Sequence, residues 1–457
     1  MAVVSPSPTA ARPASGWLER RFQVAERGSS VPREILAGAT TFAAMAYILA
    51  VNPAIMSAAG MDRSELVAAT ALAAIAGSVM MALLANLPIA VAPAMGSNVI
   101  FAFVLVKQMG VPWQAALAVV AATGAAFLVL SLSRFREKVA RDVPEVLKIG
   151  IQAAVGTLIV FIGLRTGGFV VASPSTLVAM AKLSQPSVIL TLVGLLLTPV
   201  LLVRRVPGAL ILSIAALTLI GFFVPTGDGK FVTAMPASLF AWPKLPRESF
   251  LALDFGYLAS HFLLVLPLLF YFFCAEFFST LGTLIGVTGA ANLRKPDGSI
   301  PNATAAFSTD ALSSMIGPCL GTSVVTAFIE SVTGVQAGGR TGLTALTVAV
   351  GFVLALFLWP VFVIVPAQAT APALVIVGIL MMQGLARTDM SDLMNAVPIV
   401  SMLLITVLTH NLINGMAVGT LSYILLQLAA GRGRAISFIV WLLGAVFIGF
   451  FYVTTRI

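Results

Sequence analysis

From about residue 35 onward this chain runs in long apolar stretches, separated by short polar breaks that carry Pro or Gly. No charged residue occurs in 66–106 or in 341–386. About 20 apolar residues carry a helix across the hydrocarbon core, so each of these stretches has length for about two crossings. Cutting the pattern at charges and breaks predicts spans near 35–56, 65–86, 98–108, 113–132, 144–165, 185–203 and 207–225. A polar segment over 225–254 follows, then spans near 257–288, 303–318, 328–337, 342–365, 371–385, 395–412 and 414–430. The pattern is seven spans and seven again, and the run over 436–453 is left open as a further crossing or a surface helix. The alternation of an outer-membrane barrel is absent, so an all-α polytopic membrane protein is expected.

Two of these spans are too short to cross. One follows PIAVAPAMGSN at 88–98 and stops at Gly110; the other follows GPCLGTSVVTAFIE at 317–330 and stops at Gly334. Each is the third span of its half, and paired short segments broken by Gly and Pro in matching positions point to a transporter's binding site. With an odd number of spans per half, the two halves must be inverted relative to each other. The segment around 321–329, rich in Val and Thr, suits a short extended strand more than a helix. Such backbone is tolerated at membrane depth only where it lines a cavity or is buried in protein.

Charge sharpens this picture. Over 255–293 the sole Asp, Glu, Lys or Arg is Glu276, and over 299–339 there are Asp310 and Glu330 alone. A carboxylate at the bilayer centre costs about 2.5–3.5 kcal/mol on insertion scales, and the usual reason to keep one is a substrate, a coupling ion or a proton. Glu276, Ser279, Thr280 and Thr283 share one helix face at i, i+3, i+4 and i+7 spacing. Glu330 falls at the start of a half-helix, where the dipole favours an anion. Asn98 ends the matching break as an N-cap, as a ligand contact through its amide, or as both. Asp310, in STDALSS at 308–314, reads as a tie between helices or an aid to conformational change. His261 and His410 fall near span ends and read as interfacial or structural.

Hydrophobic residues make up 59% and charged residues 9%, against about 25% charged in soluble domains. The net charge of +9 follows topology and does not imply nucleic acid. Its clusters are Arg12, Arg20, Arg21, Arg27 and Arg33; Arg134, Arg136, Lys138, Arg141 and Lys148; Arg204 and Arg205; Arg294 and Lys295; Arg432 and Arg434. With alternating spans all of them share the side of the N-terminus, which the positive-inside rule makes cytoplasmic. Residues 1–34 read as a cytoplasmic tail, not a signal peptide. Cys274 and Cys319 imply no disulfide framework. No Walker-type loop, nucleophile–base pair, metal cluster or cofactor motif is found, which argues against primary active transport and against an intramembrane enzyme.

Several segments together resemble the azaguanine-permease-like branch of the nucleobase–cation symporters, the adenine/guanine/hypoxanthine permeases. They are TTFAAMAYILAVNP (40–53), SAAGMD (57–62), APAMGSN (92–98), TLGTLIGV (280–287), IESVTGVQAGGRTGLT (329–344), ATAPALVIVGILMM (369–382) and NGMAVG (414–419). The resemblance implies fourteen transmembrane spans as two inverted seven-span repeats, with core and gate domains like those of the uracil permease. Core spans 1–4 then fall in 35–142 and gate spans 5–7, with the polar extracellular segment, in 143–254. Core spans 8–11 fall in 255–368, and gate spans 12–14 with the C-terminal hydrophobic stretch in 369–457. It implies import of a purine base by proton symport in an elevator-like movement of core against gate, in a bacterial inner membrane, with a homodimer possible. The base would sit between the broken spans 3 and 10, held by Glu276 and Glu330, with Gly96, Asn98, Thr280, Ser279 and Phe328 beside it. Proton-coupling candidates are Glu276, Glu330 and Asp310. This chain departs from the family's usual DLFDTTGT in span 8, reading EFFSTLGT at 276–283. Val324, Val325 and Phe328 likewise replace family Thr and Tyr. A less polar pocket suits a modified or less polar base, and a permease for another base, such as xanthine, uracil or a modified purine, stays an alternative. An anion permease of sulfate type is the runner-up, disfavoured because buried carboxylates repel anions. A structural membrane protein is a distant third, disfavoured by the matched broken spans.

Overall fold

The protein is described from a computed structural model covering residues 16–132, 143–226, 230–236, 238–294 and 299–454, apart from the side chains of Leu263, Cys274, Val453 and Thr454. Arg12, Arg134, Arg136, Lys138, Arg141 and Lys295 lie outside these residues.

Each predicted span carries helix. In the first half these are α1 (Trp17–Phe22), α2 (Val31–Met45), α3 (Ile48–Met56), α4 (Arg63–Met80), α5 (Met95–Val99), α6 (Trp113–Leu132), α7 (Glu145–Thr166), α8 (Pro186–Val203) and α9 (Ala209–Gly221). The second half has α10 (Phe255–Ser260), α11 (Phe262–Ala290), α12 (Ala303–Cys319), α13 (Ser331–Gln336), α14 (Gly342–Leu356), α15 (Trp359–Val363), α16 (Ala367–Met381), α17 (Leu393–Thr409) and α18 (Leu412–Ala429). The last apolar run forms α19 (Phe438–Thr454), which packs on α18 and α11. Among the described residues, 8 helices are long and apolar enough to cross a membrane.

The described residues are mostly helical, with short strands in addition, one of them within the extended segment expected around 321–329. β1 (Val91–Pro93) pairs antiparallel with β4 (Val325–Ala327), with Val91 opposite Ala327. An exposed hairpin of β2 (Val170–Ser173) and β3 (Leu177–Met180) tops the connection from α7 to α8. Its VVAS and LVAM runs flank a Pro-Ser-Thr turn, a hairpin signal that is short beside the long apolar runs on either side.

The helices pack as two groups. In one, α2 and α4 pack on α14, α12 on α6 and α4, and α11 on α6 and β4. In the other, α7 packs on α16 and α17, α8 on α9 and α16, and α17 on α18. Where α7 meets α16 the backbones nearly touch: a Cβ at Gly156 would lie 2.5 Å from the Gly378 carbonyl. Small residues that let helices approach this closely are the usual basis of packing in lipid, where burying more apolar surface adds little.

β1 and β4 sit at the middle of the first group, and all six of their residues are buried. Backbone groups at that depth have no water to bond, and each one left unpaired costs several kcal/mol. Their pairing extends to Ala94 N donating to Val324 O (2.8 Å) and Phe328 N to Ala90 O (2.9 Å). The outer edges are closed by side chains. Ser78 of α4 accepts from Val91 N at 3.0 Å and donates to Val91 O at 3.1 Å. Ser314 of α12 donates to Val325 O at 2.8 Å, and the Ser331 hydroxyl accepts from Ala90 N at 3.0 Å. Glycines bring these helices in close: a Cβ at Gly77 would lie 2.6 Å from Val91 Cγ1, and one at Gly317 2.5 Å from Val325 Cγ2.

Ser78→Ala strands the edge groups of Val91, and a buried unsatisfied group costs about 1–3 kcal/mol. The variant is expected to melt several degrees below the parent in detergent, whereas the exposed Ser260→Ala melts with it. Equal melting temperatures for all three proteins refute this account of the strand edge.

Candidate functional site

A cavity of about 180 Å³ opens where β4 and the starts of α5 and α13 meet α11 and α16. Its wall contains Gly96, Glu276, Ser279, Thr283, Phe328 and Glu330, together with Tyr47 and Tyr271. Val377 and Met381 of α16 close the opposite side, and among the described residues no Lys, Arg or His lines it. A Cβ on Gly96 would stand 3.1 Å from Met381 Cε, so glycine there keeps the two walls close without filling the space.

The local backbone explains how the acids are presented. α5 begins at Met95 with Ala94 as its N-cap and continues as a looser π-helical stretch to Gln108. Its 14 residues rise about 21 Å, short of the roughly 30 Å core. β4 leads through Phe328 into α13, whose N-cap position is Glu330, as the extended-then-helical reading expects. At the facing break between α2 and α3, Leu49 N bonds to Ala46 O (3.1 Å) and Ala50 N to Tyr47 O (3.1 Å). These i→i+3 bonds tighten the turn and aim Tyr47 inward. Its hydroxyl donates to Glu330 Oε1 at 3.0 Å.

The three intramembrane acids differ in what they already hold. Asp310 is fully buried and engaged through both oxygens: it accepts from Ala327 N (2.6 Å), from Thr326 Oγ1 (3.0 Å to one oxygen) and from Thr280 Oγ1. Glu330 is half-buried and takes one bond, from Tyr47. Glu276 is 1% exposed, and neither carboxylate oxygen has a hydrogen-bond partner among the described residues. The neighbouring Ser314 hydroxyl is already given to the Val325 carbonyl.

The sequence-predicted residues divide accordingly. Glu276, Ser279, Glu330, Gly96 and Phe328 come together around one cavity. Thr280, expected beside the substrate, stands behind the wall, because its hydroxyl serves Asp310. Asn98 is not the N-cap but lies inside the helix, where its amide donates to Asn52 Oδ1. Asn52 Nδ2 passes the chain on to Thr70 Oγ1 (2.7 Å) and Thr322 Oγ1 (3.1 Å). Asn98 therefore joins a buried amide–hydroxyl network one layer back, with its own Oδ1 unpartnered among the described residues. Tyr47 and Tyr271 were missed: a buried Tyr hydroxyl needs a partner, but all 5 tyrosines of the chain fall within the apolar runs, so position alone does not single these two out.

Against known proteins, residues 32–450 match the model of the xanthine/uracil permease family. The chain is 38% identical over 434 residues to the adenine permease AdeP of Escherichia coli (strain K12), covering 95% of each. It is 40% identical over 422 residues to the guanine/hypoxanthine permease PbuO of Bacillus subtilis (strain 168), covering 91% of this chain and 96% of that one. Among solved structures it resembles the transmembrane domain of a cyanobacterium bicarbonate transporter, BicA, with a TM-score of 0.63 at 14% identity over 89% of this chain and 97% of that one. The inward-facing murine anion transporter Slc26a9 gives a TM-score of 0.62 at 13% identity, over 93% of this chain and 74% of that one. At such identities the likeness is one of fold alone.

Asp310→Ala removes the acceptor from Ala327 N–H and two hydroxyls at once. A loss of about 2–4 kcal/mol in stability is expected, read as a lower melting temperature and poorer monodispersity on size exclusion, with Asp310→Asn between the two. Parent-like behaviour of Asp310→Ala rules out its anchoring role.

Proposed function

Since the chain belongs to the xanthine/uracil permease family, we propose that it is a secondary transporter importing a purine nucleobase such as adenine, guanine or hypoxanthine. The observation that carries this reading is Glu276, a buried carboxylate with both oxygens unpartnered among the described residues, at the wall of a small cavity. A planar base presents N–H groups along its edges, which is what two such oxygens accept. At about 180 Å³ the space is well under the roughly 300–1,000 Å³ of drug-sized sites, a size for a free base and not a nucleotide. Glu330 offers its remaining oxygen, Ser279 and Thr283 offer hydroxyls, and Phe328 and Tyr271 offer ring surface for stacking. Carboxylates without a lining cation disfavour an anion substrate, so the anion-permease alternative falls behind.

The finer reading has fourteen spans in two inverted repeats, with the α2–α6 and α11–α14 group as core and the α7–α9 and α16–α18 group as gate. The matched positions of β1–α5 and β4–α13 support it, as does the cavity lying between these groups. An elevator-like movement would carry Glu276 and Glu330 past Val377 and Met381. Of the coupling candidates, Glu276 is the best placed to take the proton, because the oxygens of Asp310 are already committed to the strand. The N-terminus and the Arg-rich loops belong on the cytoplasmic side of a bacterial inner membrane.

Uptake of labelled adenine, guanine and hypoxanthine into a base-transport-deficient bacterium, with and without a protonophore, tests the function. Accumulation that the protonophore abolishes is expected; no accumulation of any labelled base ends the reading. Glu276→Gln and Glu330→Gln each remove a charged acceptor worth about 1.5–3 kcal/mol, so affinity is expected to fall on the order of tenfold to a hundredfold at normal membrane levels. Parent-like affinity in both reduces these acids to packing.

Ser279 lies one turn from Glu276 on the cavity face, where the family carries a second acid. An acid restored there couples electrostatically to Glu276. Ser279→Asp is expected to change the pH dependence of uptake between pH 5 and 8 and to move preference toward more polar purines. An unchanged profile together with an unchanged competitor order rejects position 279 as a specificity determinant.

A further inference from the structure

A second and larger cavity, about 440 Å³, lies away from the acids at the far ends of α5 and α7. Its floor is apolar: Phe103 and Val104 of the α5 extension with Leu158 and Ile162 of α7. Its rim is basic and polar: Lys107, Gln108, Arg165, Thr166 and His410, with no acidic side chain among the described residues. The rim residues all sit at helix ends. Lys107 and Gln108 close the α5 extension, Arg165 and Thr166 close α7, and His410, at φ 52°, closes α17.

Helix ends mark the depth at which hydrocarbon gives way to lipid headgroups. Cations there also complement helix dipoles or snorkel to water, and singly they mean no more than that. Here two of them border one concavity whose inner wall is hydrocarbon-like. Lys107 lies over the Phe103 ring, its ammonium 5.5 Å from the centroid, so the charge stands directly above the apolar floor. The cavity also bridges the two helix groups: the Gln108 amide donates to Thr409 O at 3.4 Å, and Phe161 of α7 meets His410 edge-on at 4.4 Å. The charge pattern is opposite to that of the acid-lined cavity and does not suit the same ligand.

We propose that this cavity is a binding site for an anionic phospholipid. Lys107 and Arg165 bind the phosphate, Gln108 and Thr166 bond the glycerol and ester oxygens, and Phe103, Val104, Leu158 and Ile162 receive the first part of an acyl chain. A free anion would use the rim and leave the floor unmatched; a neutral lipid would use the floor and leave the cations unmatched.

The full chain, purified in a mild detergent, would be titrated in thermal-shift assays with phosphatidylglycerol, with phosphatidylcholine of the same acyl chains, and with inorganic phosphate. Expected is a rise of several degrees with phosphatidylglycerol alone, lost in Lys107→Gln/Arg165→Gln and in Ile162→Trp, which fills the floor. Both variants should keep the parent's basal melting temperature and elution profile; if one does not fold, the other carries the test. Five outcomes overturn the proposal: no shift with phosphatidylglycerol, equal shifts with both lipids, a shift reproduced by phosphate, a phosphatidylglycerol shift that survives in a folded variant, or its displacement by purine bases. The last would assign the cavity to the substrate route.

Discussion

Everything at the centre of this molecule depends on one constraint: two stretches of extended backbone lie where no water can satisfy them. β1 and β4 meet it by pairing with each other and by recruiting Ser78, Ser314, Ser331 and Asp310 to their edges. Glycines at 77 and 317 are needed because the donor helices must come within van der Waals contact of the strands. The short helices after each strand follow from the same arrangement, since residues spent on the strands are not available to cross the core. The cavity is the space these truncated elements leave between the two helix groups.

Within that frame the carboxylates are graded by how much of their hydrogen-bonding capacity is already spent. Asp310 accepts through both oxygens and acts as a structural acceptor, Glu330 is held through one oxygen by Tyr47, and Glu276 has no partner among the described residues. An unpartnered buried carboxylate is an expensive object in a protein interior. Its placement at a cavity wall makes its satisfaction conditional on whatever enters, which is how a site obtains both affinity and a reason to discriminate.

Much of this was legible in the sequence, because the bilayer restricts the solutions so severely. Charge-free runs marked the helices, two of the isolated acids line the candidate cavity, and the PIAVAPAMGSN and GTSVVTAFIE breaks marked the paired short helices. What could not be read was the direction of individual side chains. Thr280 and Asn98 sit beside cavity residues in sequence, yet a step of one residue along the helix aims them into the layer behind, at Asp310 and Asn52. Tyr47 was invisible for a related reason: it reaches Glu330 through a break in α2–α3 that no Pro or Gly at 46–47 announces. The β2–β3 hairpin was passed over because its short alternation lies between stronger signals of greater length.

The pairing of β1 with β4 also bears on how the chain is made. Val91 emerges from the ribosome more than two hundred residues before its partner Ala327, an interval on the order of ten seconds or more at about 5–20 residues per second. During synthesis β1 must wait inside or beside the membrane with its pairing edge open. Ser78, already present 13 residues upstream, can hold both the N–H and the carbonyl of Val91 from the start, so α4 with β1 forms a unit partly satisfied in advance. The second half then completes a half-built site instead of assembling one anew.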